Sequence, residues 1–302
     1  MSFKVTILGC SAATPAYGRH LSAQLVEMEG EVLLIDCGEA TQFQLMHYKL
    51  PFHKINHIFI SHLHGDHYFG LVGLMMTFGL SDRMAPLHIH SPPGLELLLK
   101  HQIEGALKYE VHFHESDPTV AQLLYENSVL KVSSLPLDHR VPCHGFRVEE
   151  QARPANMRKD KIVEYKIPYQ AINAIKAGGH YTTPEGQVIS HEELTIPAAT
   201  PLSFAYCSDT RYQPALIPYI QGVDVLYHEA TFLHEHLEKA ERTKHTTAQE
   251  AGQLAAAAQV KQLVLGHFSA RYVDLNPVLE EAKAFFEATQ LAEEGKTLFL
   301  KE

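Results

Sequence analysis

Cysteine is scarce in this chain. There are four, Cys10, Cys37, Cys143 and Cys207, scattered and never in a CxxC pair. That argues against a disulfide framework and leaves buried, reduced thiols as the expectation. Long apolar runs are missing too: none reaches the roughly 20 residues needed to span a bilayer. The start, Met1-Ser2-Phe3-Lys4-Val5-Thr6-Ile7-Leu8-Gly9, runs straight into strand-like sequence. It has no basic start, long apolar stretch or small-residue cleavage site of an export signal, so a cytoplasmic location without a membrane partner is expected. An overall basic charge is also absent, the formal net charge being −10. Non-specific nucleic-acid binding over the whole surface is therefore disfavoured. A nucleic-acid substrate would need a local basic patch, or metal ions, to hold its phosphates.

What is present is ordinary in bulk: 45% hydrophobic and 20% charged residues, the balance of a globular protein with a sizeable core. The outlying number is 21 histidines, which invites a search for metal ligands. A length of 302 residues allows two domains, although α/β folds of that size are often one unit.

Along the chain, Lys4-Val5-Thr6-Ile7-Leu8-Gly9 reads as a first strand ending in a turn. Residues 25–28 and 32–35 flank Glu29-Gly30-Glu31, the pattern of a hairpin. A helix is expected over 40–48, a strongly apolar strand over 55–61, and a helix over 68–80. Ser91-Pro92-Pro93-Gly94 opens a helix over 95–104. Further strands are expected at 87–90, 109–113, 129–132 and 145–148. Residues 151–197 change character, mixing basic residues with Pro168, Pro184, Gly178-Gly179 and Gly186, and read as an insertion rather than a domain boundary. The rhythm then resumes with strands near 202–207, 223–227, 262–265 and 297–300 and helices over 247–259 and 276–290. The expected class is α/β, one domain over 1–302 with two sheets packed face to face and helices outside.

His62, His64, Asp66 and His67 lie within six residues. Imidazole nitrogen and carboxylate oxygen both suit Zn²⁺. Such a loop can direct His62 and His64 to one ion and Asp66 and His67 to a neighbour, with Gly65 turning the backbone between them. A repeated grammar supports the reading: an apolar strand ends and a ligand-type residue follows. Ile58-Phe59-Ile60 precedes His62, Leu135-Pro136-Leu137-Asp138 precedes His139, and Phe204-Ala205-Tyr206-Cys207-Ser208 precedes Asp209. Val225-Leu226-Tyr227 precedes His228-Glu229, and Leu263-Val264-Leu265-Gly266 precedes His267. Ligands at strand ends along one edge of the sheets can converge on a single site. His144 competes with His139, and His90 reads as structural beside a helix entry.

The stretch His62-Leu63-His64-Gly65-Asp66-His67 meets the H-x-H-x-D-H signature of the metallo-β-lactamase superfamily. Within it the sequence closely resembles the ribonuclease Z family, nearly end to end. The resemblance includes Leu8-Gly9-Cys10, Asp36-Cys37-Gly38-Glu39-Ala40-Thr41-Gln42, Ser208-Asp209-Thr210, and Leu265-Gly266-His267-Phe268-Ser269-Ala270-Arg271-Tyr272. Its most specific part is His228-Glu229-Ala230-Thr231-Phe232 with His245-Thr246-Thr247-Ala248. The resemblance implies an αββα sandwich of two mixed sheets. It implies one zinc on His62, His64, His139 and Asp209 and a second on Asp66, His67, Asp209 and His267, with Asp209 bridging; Mn²⁺ or Fe²⁺ also suit such donors.

It further implies a zinc-dependent endoribonuclease that removes the 3′ trailer of precursor tRNA by hydroxide attack on one phosphodiester. The products would be a tRNA 3′-hydroxyl and a 5′-phosphate on the trailer. Asp66 would accept a proton from the nucleophile, and Glu229 with His245 would protonate the leaving ribose oxygen. Similar proteins are typically homodimers with an extended arm near 151–197 that holds tRNA. Here Arg153, Arg158, Lys159, Lys161, Lys166 and Lys176 face only Asp160 and Glu164 between 151 and 176. Many bacterial members carry a Gly-Pro motif in the arm, whereas the corresponding stretch reads Ile167-Pro168-Tyr169-Gln170-Ala171-Ile172. A hydrolase of the same fold acting on a small phosphodiester or thioester, and a non-catalytic RNA-binding relative, are the alternatives.

Overall fold

The computed structural model of the protein describes residues 3–301. Chain contacts divide it into two compact units: Glu150–Pro201, and the stretches on either side of it taken together.

The larger unit is built on two seven-stranded sheets. The first runs, edge to edge, Thr297–Lys301, Phe3–Gly9, Ala23–Met28, Glu31–Ile35, Ile55–Phe59, Leu87–Ser91 and Val111–Glu115. The first four are antiparallel neighbours, and pairing turns parallel from Glu31–Ile35 onward. The hairpin expected around Glu29-Gly30 is present, and both turn residues have positive φ, 50° and 98°. A two-residue turn of that hand matches the right-handed twist of the strands it joins. The second sheet runs Thr289–Leu291, Gln262–Gly266, Val225–Glu229, Ser203–Cys207, His144–Glu150, Leu130–Pro136 and Leu123–Glu126.

The sheets face each other across one core. Phe3, Val5, Ile7, Leu33, Ile35 and Phe59 from the first meet Leu130, Val132, Phe146, Val148, Phe204 and Tyr206 from the second. Because side chains alternate along a strand, the other set in the first sheet points outward. Leu8, Leu25, Leu34 and Ile58 pack there against Leu45, Leu74, Phe78 and Leu99 of the helices Thr41–His47, Leu71–Leu80 and Leu95–Ile103. The central strands Ser203–Cys207 and Val225–Glu229 are buried at every position, as strands covered on both faces must be. Ala248–Ala257, capped by a reciprocal Thr247–Glu250 box, and Asn276–Lys283 cover that side. The architecture is helix, sheet, sheet, helix: the αββα sandwich expected from the sequence.

The strand expected at 109–113 lies at Val111–Glu115, and two of the expected helices differ in form. The helix over 68–80 is two pieces, Gly65–Tyr68 and Leu71–Leu80. The helix expected over 276–290 stops at Lys283, and Thr289–Leu291 becomes an edge strand parallel to Gln262–Gly266. Pairing with that neighbour overrides a local helical pattern.

The unit Glu150–Pro201 has two small antiparallel pairs, Asn156–Met157 with Thr195–Ile196 and Tyr181–Thr182 with Val188–Ile189. Its helices Lys159–Glu164, Tyr169–Lys176 and His191–Leu194 close over Ile167, Ile175, Ile189 and Leu194. Among the described residues no helix is long and apolar enough to cross a membrane.

Candidate metal centre

Strand register brings the candidate ligands together. Ser203–Cys207, Val225–Glu229 and Gln262–Gly266 are parallel, with Cys207 beside His228 and Glu229 beside Gly266. Their carboxyl ends therefore lie on one edge, where Asp209, Glu229 and His267 follow. Asp209 and His267 have φ of 53° and 55°. That left-handed conformation costs a non-glycine residue of order 1–2 kcal/mol and persists where the surroundings over-determine it. Gly266 has a different reason to be glycine: a Cβ there would stand 1.9 Å from the Tyr227 hydroxyl.

Two groups of donor atoms result. In the first, His62 Nε2 stands 3.0 Å from His64 Nδ1 and 3.7 Å from Asp209 Oδ1, while His139 Nε2 lies 3.3 Å from His64 Nδ1 and 3.6 Å from Asp209 Oδ1. In the second, His67 Nε2 and His267 Nε2 each lie 3.0 Å from Asp209 Oδ2, and 3.5 and 3.6 Å from Asp66 Oδ2. Four donors placed tetrahedrally at about 2.0–2.1 Å from one zinc stand roughly 3.3 Å apart. Both groups scatter around that edge length, and the two Asp209 oxygens face different groups. The Nε2 atoms of His67 and His267 are buried without a hydrogen-bond partner, a cost that a cation between them and the carboxylates would remove. Donor types, edge lengths and orphaned nitrogens all fit a pair of divalent metal ions.

The far side of three of the imidazoles is tied down. His67 Nδ1 donates to Asp36 Oδ2 at 2.7 Å, His139 Nδ1 to the Lys244 carbonyl at 3.0 Å, and His267 Nδ1 lies 2.9 Å from Thr231 Oγ1. A bond to Nδ1 fixes the tautomer that leaves Nε2 free to ligate. Burial alone would push the Asp66 carboxyl up, but His67 and His267 hold it well below the usual carboxylate range. Burial likewise disfavours a charged His67, yet Asp209, Asp36 and Asp66 raise it well above the usual imidazole value. A field that holds a proton on a fully buried ring is one that attracts positive charge.

Beside the donors, His245 Nδ1 lies 2.9 and 3.1 Å from the two Glu229 oxygens. Burial lowers His245, but the Glu229 charge and hydrogen bond, with Asp209, outweigh it and raise the ring to about 9. Glu229 is fixed in turn by the Thr210 amide at 2.7 Å and by the Thr231 hydroxyl. A cavity of about 660 Å³ opens over the cluster, lined by His64, Asp66, Phe69, Arg140, His245 and His267 among others.

All seven sequence-predicted donors, His62, His64, Asp66, His67, His139, Asp209 and His267, thus converge with Glu229 and His245. His144 does not: it sits in its own strand with Nε2 3.0 Å from Ser116 Oγ. His90 lies elsewhere, stacked on Phe59 and His114, in a group with His57, His88 and His112. Sequence reasoning gave no role to Asp36, Thr231 or Lys244. Asp36 had a signal, since it follows the strand Glu31–Ile35 just as Asp209 follows its own.

The chain was compared with known proteins. A family model described as anti-Pycsar protein Apyc1 matches residues 3–139. Ribonuclease Z of Bacteroides fragilis is 47% identical over 301 residues, covering 99% of each chain. Ribonuclease Z of Bacteroides thetaiotaomicron is 48% identical over 296 residues, covering 97% of this chain and 94% of its own. The solved short form of human tRNase Z is 27% identical, with a TM-score of 0.71 over 99% of this chain and all of that one. Identity of this order over nearly the whole length, together with the αββα sandwich, places this chain in the ribonuclease Z family of metallo-β-lactamase-fold proteins.

Proposed function

We propose that this protein is an endoribonuclease that removes the 3′ trailer from precursor tRNA, hydrolysing one phosphodiester to leave a tRNA 3′-hydroxyl and a 5′-phosphate on the trailer. The observation that carries the reading is the double donor set sharing Asp209, in a chain of this family. One ion is assigned to His62, His64, His139 and Asp209, the other to Asp66, His67, Asp209 and His267. Zinc is the first choice for imidazole and carboxylate donors, with Mn²⁺ or Fe²⁺ the substitutes. When bound, two such ions neutralise phosphate charge and acidify water toward neutral pH.

The residues divide the remaining work. Asp66 stays ionised and points Oδ2 at the second donor group while accepting the Ala13 amide at 2.8 Å, so it is placed to take a proton from the attacking nucleophile. His245 is held protonated at neutral pH by Glu229 and can donate to the departing ribose 3′-oxygen. General-acid help of this kind is typically worth about 10²–10⁴-fold.

The same reading treats the αββα sandwich as the catalytic domain and the inserted arm of residues 151–197 as the holder of tRNA phosphates. In support, Arg153, Arg158, Lys159, Lys161, Lys166 and Lys176 stand against Asp160 and Glu164 between 151 and 176, although Lys161 pairs with Glu164 at 2.7 Å and Arg158 with Asp160 at 3.7 Å. We also read the protein as a cytoplasmic homodimer; exposed Phe43, Met46, Leu80 and Met84 supply apolar surface on the larger unit.

The test is incubation of the purified protein with a precursor tRNA, with and without chelator, and mapping of the cut. Metal-dependent cleavage at the trailer junction is expected. Cleavage of a small phosphodiester with no action on precursor tRNA would replace the reading with that of a small-substrate hydrolase.

A further inference from the structure

Three cations surround the loop that carries His139, and they are not equivalent. Lys244 Nζ lies 2.7 Å from Asp138 Oδ1, and Arg211 Nε lies 2.6 Å from Asp138 Oδ2. Asp138 therefore pairs with both, one through each oxygen. Arg140, two residues on, is exposed and takes no hydrogen bond or ion pair among the described residues. It is nonetheless close to the reacting groups, because it lines one cavity with His64, Asp66 and His245. A free guanidinium held beside a site that handles a phosphodiester, in a chain of net charge −10, calls for an anionic partner from outside.

The cavities say where that partner sits. The cavity over the metal cluster holds about 660 Å³, and a second of about 560 Å³ lies against the other side of the His139 loop. Arg140 is the residue that lines both. The second cavity is lined by Pro118, Pro136, Val141, Pro142 and the half-exposed Tyr219, while Thr119 and Gln213 already donate to Asp117, the Pro136 carbonyl and Thr210, a setting for a base rather than for a phosphate. A small diester fills the first cavity alone. A polynucleotide continues past it, and the continuation into the second cavity carries its next phosphate past Arg140.

We infer that Arg140 binds the phosphate adjacent to the scissile one and that the second cavity seats the nucleotide between them, so that the site selects polynucleotides over small diesters. The inference rests on the phosphodiesterase reading of the metal cluster, but not on tRNA being the RNA. Arg140 is a substrate-binding residue in this account and leaves the metal donors alone. Asp138 contributes indirectly, by keeping Lys244 and Arg211 from competing for the same anion.

The test uses the metal-loaded wild type, Arg140→Ala and Arg140→Lys on three substrates: a precursor tRNA, an unstructured oligoribonucleotide, and bis(p-nitrophenyl) phosphate. For Arg140→Ala, KM for the RNA substrates should rise roughly tenfold while kcat changes little, so that the preference for RNA over the small diester falls by about that factor. Arg140→Lys should recover part of it, because a point charge replaces a bidentate fork. RNA binding in excess chelator, followed by fluorescence anisotropy, should lose about one unit or slightly less of its log–log salt slope, as expected for one phosphate contact. Equal loss on all three substrates, or none on any, overturns the inference. Failure of the wild type on precursor tRNA, with the oligoribonucleotide still cut and still dependent on Arg140, would overturn the tRNA reading and leave this one standing.

Discussion

The carboxylate of Asp36 offers the sharpest test of how the metal centre is held. It is fully buried and receives His67 Nδ1 at 2.7 Å, the Tyr206 hydroxyl at 2.7 Å, the Ser61 hydroxyl at 2.9 Å and the Ser61 amide at 2.7 Å. Its φ is 56°, a conformation that asparagine tolerates as well as aspartate, so Asp36→Asn leaves the backbone preference alone. The new amide keeps one acceptor oxygen but turns an NH₂ group toward donors. One buried donor is left facing another, which costs about 1–3 kcal/mol. That penalty falls on the fold whether or not metal is present. A second effect appears only with metal: His67 loses the charged partner that fixes its ring and raises its basicity, a change typically worth about 10–100-fold in metal affinity. Converted, this is about 1.4–2.7 kcal/mol of stability lost at saturating metal and not in chelator. Urea unfolding of wild type and Asp36→Asn, each with saturating zinc and with excess chelator, gives both quantities, and a chelator-competition titration checks the affinity directly. If the variant loses the same stability in both conditions and keeps wild-type affinity, Asp36 is a packing residue and the account of His67 is wrong.

Glu229→Gln should lower kcat on precursor tRNA by about 10²–10⁴-fold. It should also move the alkaline limb of the pH–rate profile downward from about 9, since the charge that raises His245 is gone; a limb that stays put would assign the acid elsewhere. Acid should weaken the fold through the stacked imidazoles away from the site. Burial, with neighbouring rings, lowers His57 to about 4 and His90 to about 3. Their folded values lie below the unfolded one, so the stability they contribute is complete above pH 6.5 and declines as pH falls toward 4. Urea midpoints measured over that range should drop, and His90→Phe should flatten the slope. Replacing residues 150–201 by a short Gly-Ser turn is feasible because Glu149 and Ser203 are antiparallel partners. It should raise KM for precursor tRNA strongly and spare a small diester; equal loss on both would end the assignment of that unit to tRNA binding.

The sequence disclosed the centre because its donors obey a local rule. A buried strand can be recognised from its run of apolar residues, and the residue just past its end is the one the fold presents. His62, His139, Asp209 and His267 were legible on that ground. Asp36 obeys the same rule and was passed over, because it serves a ligand and has no metal-ligand spacing to mark it. The histidine count was a weaker guide than it looked. Of the 21, His57, His88, His90, His112 and His114 fall on three neighbouring strands, where cross-strand register stacks them on one another. Register is set by tertiary packing, so the alternation in Leu87-His88-Ile89-His90 could not separate this stack from a chelating pair. Lys244 marks the boundary of what any sequence pattern reaches. It orients His139 through its backbone carbonyl, which every residue has, and does so at φ 54°, where glycine or asparagine would be the usual occupants. Its ammonium reaches Asp138 and the His139 carbonyl, so side chain and backbone brace the same loop. Only the closure of the Leu237–Thr243 helix against that loop makes the arrangement visible.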